Sequence, residues 1–166
     1  IGFKNINGNT TIVKQNYRYL KYIANLYVKY KIKNVEFIFV DPTYGGANIN
    51  FKEIVPKISS AYLYMRKVLE IGNKNGYDQW KLRYVPLCYF KDYTNQISEI
   101  WEAKLFHSKH WAPDFKNDDV VLNRRKYARI KTERCNGCKL YNICEGIWKE
   151  YVKHYGDKEL KPIKDD

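Results

Sequence analysis

Apolar and polar residues recur along the first half of the chain at two periods, and the switches between them mark out its elements. Thr10–Val13 is a short β-branched run of strand type, ending at Asn16. Asn16 belongs to the residue types that cap helices. After it, Leu20, Ile23, Ala24, Tyr27 and Val28 return every third or fourth residue, predicting one amphipathic helix from Tyr17 to Tyr30. Val35–Val40 is a nearly continuous apolar run, the pattern of a strand covered on both faces in a parallel sheet. Asp41-Pro42 stops it, and Gly45-Gly46 opens a loop. A second helix is predicted from near Pro56, with Ile58, Tyr62, Met65 and Leu69 on one face and an end at Gly72 or Gly76. Trp80, Leu82 and Tyr84 then alternate as a third strand leading to Pro86 and Cys88. Strand–helix–strand–helix–strand predicts parallel strands with right-handed crossovers. Three strands are few for a sheet so apolar, and its remainder is expected upstream of Ile1.

From Phe90 the pattern changes. A helix is predicted over Gln96–Leu105, then an irregular stretch with Trp111, Pro113 and Asp118-Asp119, then the basic run Asn123-Arg124-Arg125-Lys126. Gly146 introduces a last helix with Ile147, Tyr151, Val152 and Tyr155, stopped by Gly156. There is no internal repeat and no low-complexity segment.

Composition changes this picture in three ways. At 45% hydrophobic and 16% aromatic residues, the 166-residue chain is apolar enough to fold, which excludes a disordered segment. No run of eighteen apolar residues and no signal peptide is present, so a cytoplasmic protein without a membrane span is expected. The chain starts at Ile1, directly in a strand-like region, and reads as a fragment. The formal net charge of +12 points to polyanions such as nucleic acid. The basic residues are nevertheless scattered, and Lys, Asn, Ile and Tyr are abundant together, which suits an ordinary solvated surface.

The four cysteines bring in chemistry. Cys135-x2-Cys138-x5-Cys144 is a tight group, and Cys88 stands about 47 residues before it. Gly137 lets the backbone between Cys135 and Cys138 turn, so that sulfurs and N–H groups face inward. Arg134, Lys139 and Lys131 are expected to add positive potential that favours thiolate. Disulfides or a thioredoxin-like pair suit this composition and setting less well than a metal. Zinc sites usually take two short ligand pairs, whereas iron–sulfur clusters often take a run of three Cys and a remote one. The spacing favours a [4Fe–4S] cluster and leaves Zn open. His107 and His110 form a His-x2-His of the kind more often found on surfaces, and His154 reads as a partly exposed packing residue. Glu145, next to Cys144, either supports that ligand from behind or is an acid at a helix start, and the second reading is preferred. Asp41, at a strand end, is either a turn residue or a functional group.

Taken in order, these features resemble the C-terminal half of radical S-adenosylmethionine enzymes that carry an auxiliary iron–sulfur cluster in a SPASM or twitch module. The features are Thr11-Ile12-Val13-Lys14-Gln15-Asn16, Asp41-Pro42 with Gly45-Gly46-Ala47, Val85-Pro86-Leu87-Cys88, Cys135-x2-Cys138-x5-Cys144-x-Gly146, and Gly156-Asp157-x-Glu159-x2-Pro162-Ile163. The similarity runs over nearly the whole chain and is specific at the cysteines. It implies an α/β fold: the C-terminal βα units of a partial TIM-type (β/α)6 barrel over residues 1–87, then a small cysteine-rich, twitch-like iron–sulfur module over 88–166. It implies that Cys88, Cys135, Cys138 and Cys144 ligate one auxiliary [4Fe–4S] cluster. It also implies that Asn16, Val40, Asp41 and Pro42 lie on the S-adenosylmethionine side of the barrel. The Cys-x3-Cys-x2-Cys motif that holds the family's first [4Fe–4S] cluster is not in this sequence, so by itself the chain should not cleave S-adenosylmethionine.

The expected partners are a peptide or small-molecule substrate that the sequence does not name, and an electron donor. The alternative is a zinc-stabilised basic RNA- or DNA-binding module. In it, Arg124, Arg125, Lys126, Arg129 and Lys131 would meet phosphates while Tyr127 and Tyr141 stack on bases.

Overall fold

A computed structural model of the chain describes residues 5–105, 109–112 and 115–164. The chain divides into two compact units, Ile1–Tyr84 and Val85–Asp166.

The first unit is built on three parallel strands in the order β1-β2-β3: β1 (Asn7–Ile12), β2 (Asn34–Phe39) and β3 (Lys81–Arg83). Between the strands run α1 (Leu20–Lys29), two short helices α2 (Gly45–Ile49) and α3 (Phe51–Ile54), and the long α4 (Ile58–Lys74). The register pairs Ile12 with Phe39 and Phe37 with Leu82. The side chains that alternate toward one face of the sheet (Ile12, Val35, Phe37, Phe39 and Leu82) are buried. So is the apolar stripe of α4: Ile58, Ala61, Met65, Val68 and Leu69. Trp80 is fully buried and completes this core with Phe37 and Tyr27, at ring separations of 5.9 and 6.1 Å. Gly72 lies against the Trp80 ring so closely that a Cβ there would stand 2.8 Å from it.

Two expectations change. β2 is not covered on both faces, because Glu36 and Ile38 on its second face keep partial exposure, and Glu36 pairs with Arg83 of β3 at 2.8 Å. Asn16 does not cap a helix. Its Oδ1 accepts from Val13 N–H (2.9 Å) and its Nδ2 donates to the Thr11 carbonyl (2.7 Å), closing the turn after β1. A 3-10 turn, Tyr17–Tyr19, then leads into α1.

The second unit consists of short pieces. The 3-10 turns Leu87–Tyr89 and Lys91–Gln96 lead into α5 (Ser98–Leu105), so the predicted helix starts two residues later than its apolar pattern suggests. β4 (His110–Ala112) pairs antiparallel with β5 (Phe115–Asn117). Asp119 caps α6 (Val120–Asn123), its carboxylate accepting from Leu122 N–H at 2.9 Å. A π-helical turn, Arg124–Ala128, follows, and then β6 (Arg129–Ile130) pairs antiparallel with β7 (Ile147–Trp148). α7 (Lys149–Tyr155) begins after β7. Gly146 therefore introduces a strand, not the last helix. Its φ of +83° and the Ile130 carbonyl, which a Cβ would strike, leave room for glycine alone. Among the described residues no helix is long and apolar enough to cross a membrane.

Candidate metal centre

The cysteine knuckle is made by local backbone hydrogen bonds. Cys135 N–H donates to Thr132 O (2.9 Å), Cys138 N–H to Cys135 O (3.1 Å) and Cys144 N–H to Leu140 O (2.9 Å). Gly137, at φ +73°, supplies the left-handed residue that the turn between the first two cysteines needs. Cys88 comes from a separate 3-10 turn, Leu87–Tyr89, at the start of the same unit.

A third segment closes over both. After α7, Gly156 turns the chain, and Glu159 is gripped twice: its carbonyl accepts from Tyr89 Oη (2.5 Å) and its carboxylate from Tyr151 Oη (2.6 Å). This fixes Leu160–Ile163 beside the knuckle, where Lys139 N–H donates to Ile163 O at 2.8 Å. Cys88 receives a backbone hydrogen bond from Lys161.

All four cysteines line one cavity, with Pro86, Leu140, Leu160 and Pro162 as its apolar wall. The cavity is about 20 Å³, water-sized as it stands. All four thiols are free, so the disulfide reading gains nothing. Among the described residues no three His, Cys, Asp or Glu side chains stand close enough to grip one ion without movement. The shared cavity and this spacing describe one arrangement: thiols that face a common space without yet meeting at a point. The donors suit a soft metal or an iron–sulfur cluster, being four sulfurs with hydrogen bonds to three of them. Gly146 N–H donates to Cys144 Sγ (3.3 Å), and the Thr132 backbone donates to Cys135.

The expected positive potential does not lower the pKa of Cys88 or Cys135. Burial pushes Cys88 up to about 11, aided by the charges the other three cysteines would carry, and burial also raises Cys135. Arg134 and Lys139 are exposed, and the Lys131 ammonium donates to Tyr141 O (2.6 Å) and lies over its ring. Cys88 is therefore a thiol at neutral pH, and a cation bound there would have to displace its proton.

Behind the knuckle lies a buried charge network that the sequence did not reveal. Glu145 is no helix-starting acid. It is 7% exposed and accepts from Arg124 Nε (2.6 Å) and Nη2 (2.9 Å) and from Arg125 Nε (3.1 Å). Arg124 also reaches Glu102 at 2.9 Å. Burial pushes the Glu145 pKa up, but the Arg124 contacts outweigh it and hold Glu145 below the ordinary carboxylate range. Arg129 is fully buried over the Trp148 ring (4.6 Å) and donates to the Gly146 carbonyl at 2.5 Å. Glu99 Oε1 stands 4.0 Å from Arg129 Nη1, and burial raises the Glu99 pKa. Glu145 and Gly146 follow directly on Cys144, so this network fixes the backbone that presents the fourth thiol.

Asn16 and Val40–Pro42 sit together at the carboxyl ends of β1 and β2, joined by Val40 N–H to Ile12 O at 3.2 Å. Their polar groups serve the local turns. Besides the Asn16 bonds, the Asp41 carboxylate accepts from Thr43 N–H (2.8 Å) and Thr43 Oγ1 (2.5 Å), the turn reading of Asp41. His107 lies outside the described residues, and of His110 only the strand backbone is described. His154 is partly exposed, 3.8 Å from Glu150. No protein family, curated protein or solved structure matches the chain.

Proposed function

We propose that this chain is a C-terminal part of a radical S-adenosylmethionine enzyme and that Cys88, Cys135, Cys138 and Cys144 hold an auxiliary [4Fe–4S] cluster. The observation that supports this most is the convergence of all four thiols, one of them remote in sequence, on a single cavity of one unit. The order of motifs from Thr11 to Ile163 adds the resemblance. The cluster would supply an electron relay or a structural clamp, since four cysteines complete its shell and leave no open site for substrate.

The chain's own part is to present the thiols and dress them. The Lys161, Gly146 and Thr132 backbone amides donate to sulfur, which offsets negative charge at the centre. The proline and leucine walls restrict water around it. On this reading the strand ends at Asn16 and Val40–Pro42 form part of the S-adenosylmethionine side. The radical itself would start at a first cluster whose motif this chain lacks. The substrate is a peptide or small molecule, and the proposed setting is cytoplasmic.

A second reading, structural zinc, is favoured by the small size of the cavity, about 20 Å³. Its nucleic-acid-binding form is weakened, because Arg124 and Arg129, two of the cations it needs, are buried in ion pairs.

Iron, zinc and acid-labile sulfide, measured on protein purified without oxygen, separate these readings. About four irons with sulfide and a brown chromophore are expected, lost in Cys138→Ala and equally in the remote Cys88→Ala. About one zinc per chain without colour would overturn the cluster. Metal retained in Cys88→Ala would remove the remote ligand.

A further inference from the structure

A second cavity, about 430 Å³, opens beside the thiol centre and shares only part of its lining with it. Five cationic residues line it (Arg125, Lys126, Arg129, Lys131 and Lys149) against one acid, Glu145. That acid is already engaged by Arg124 and Arg125, so the cavity wall carries excess positive charge. Two of the lysines are held in place by backbone carbonyls: Lys131 Nζ donates to Tyr141 O (2.6 Å) and Lys149 Nζ to Lys126 O (3.1 Å). An ammonium has three N–H donors, and each of these contacts uses one. Arg129 stands behind this wall with its side chain fully buried, so it adds to the positive field without itself touching an occupant.

From this convergence we infer that the cavity is a binding site for a small phosphate-bearing molecule, adjacent to Cys144. A phosphate monoester carries about −1.5 to −2 charges at neutral pH, so it matches several cations better than a carboxylate does. Arginine and lysine are its usual partners. The volume falls within the roughly 300–1,000 Å³ range of small-molecule sites, leaving space beyond the phosphate for the body of the ligand. The inference does not depend on which metal, if any, the four thiols take.

Calorimetric titration of the full chain, purified without oxygen, tests it with inorganic phosphate, phenyl phosphate and a short oligothymidylate as probes. One saturable site is expected, with phenyl phosphate binding more tightly than inorganic phosphate. Lys126→Glu with Lys149→Glu, both exposed residues, is expected to weaken phenyl phosphate about tenfold or more. Lys21→Glu with Lys67→Glu, in the other unit, is expected to change it by less than about twofold. Should the first double variant fail to fold, Lys126→Gln alone is read instead, with a loss of about threefold expected. Equal losses in both double variants, or no saturation at millimolar phenyl phosphate, would overturn the inference. So would an oligothymidylate that binds about a hundredfold more tightly than phenyl phosphate and alone responds to the Lys126 and Lys149 changes, since the cations would then line a nucleic-acid track.

Discussion

The two compact units exclude water from different kinds of side chain. In Ile1–Tyr84 the buried residues are almost all apolar, and Thr10, at 9% exposure, is the single buried polar residue among those described. In Val85–Asp166 the buried set includes Gln96, Ser98, Glu99, Arg124, Arg129 and Glu145. Apolar burial is non-directional, so the first unit can be specified by a repeating pattern and tolerates small shifts. Buried ions are directional and costly when unpaired, so the second unit is specified by individual partners. Its regular elements are too short to do this work: β6 and β7 have two residues each. The lesson is that a unit with little regular structure can be held by a few directional polar pairs.

The contrast can be broken most forcefully at Arg124. Arg124→Met removes the partner that holds Glu145 and leaves a buried carboxylate with Arg125 alone. A loss of about 3–5 kcal/mol is expected, confined to the second unit. Hydrogen-exchange mass spectrometry checks this: amides of 124–148 should exchange faster while those of β1–β3 keep their protection. Equal loosening of both would mean that the units do not unfold separately. A smaller effect is expected in the first unit from Gly72→Ala, where the new methyl meets the Trp80 ring. Overpacking there should cost about 1–3 kcal/mol, read as a lower denaturant midpoint with an unchanged slope. The mildest is Tyr151→Phe, which removes one hydrogen bond to the Glu159 carboxylate and should cost about 1.5 kcal/mol by thermal unfolding. If Tyr151→Phe cost more than Arg124→Met, the closing segment and not the charge network would be the main anchor of the second unit.

The same difference governs how much could be read from the sequence. α1, α4 and β3 lie where their hydrophobic periods place them and β2 where its apolar run does, because a period or a run is a local property of the chain. The grouping of three cysteines with one remote was also legible, since spacing and count are written in the sequence. Glu145 was misread because its charge, viewed locally, belongs to a surface or a helix start. Its partner Arg124 lies 21 residues away. The one available hint was an acid wedged between a cysteine and a glycine. Strands of two residues have no period at all, which is why β6 and β7 were not anticipated. Asn16 was misplaced for a related reason, since the same side chain suits a helix cap and a turn closure, and only the neighbouring backbone decides.

The strap from Leu160 to Pro162 gives the thiol cavity a place in time. Translation runs from the amino end, so Cys88 leaves the ribosome first, the three clustered thiols follow, and the segment that walls them in comes last. Until that segment has docked, the four sulfurs lack the wall formed by Leu160 and Pro162 and stand open to solvent and oxygen. Once Tyr89 and Tyr151 have seized Glu159, the cavity is roofed. Anything that enters after the strap has docked must pass it, so access to the four thiols depends on how firmly two tyrosines hold Glu159.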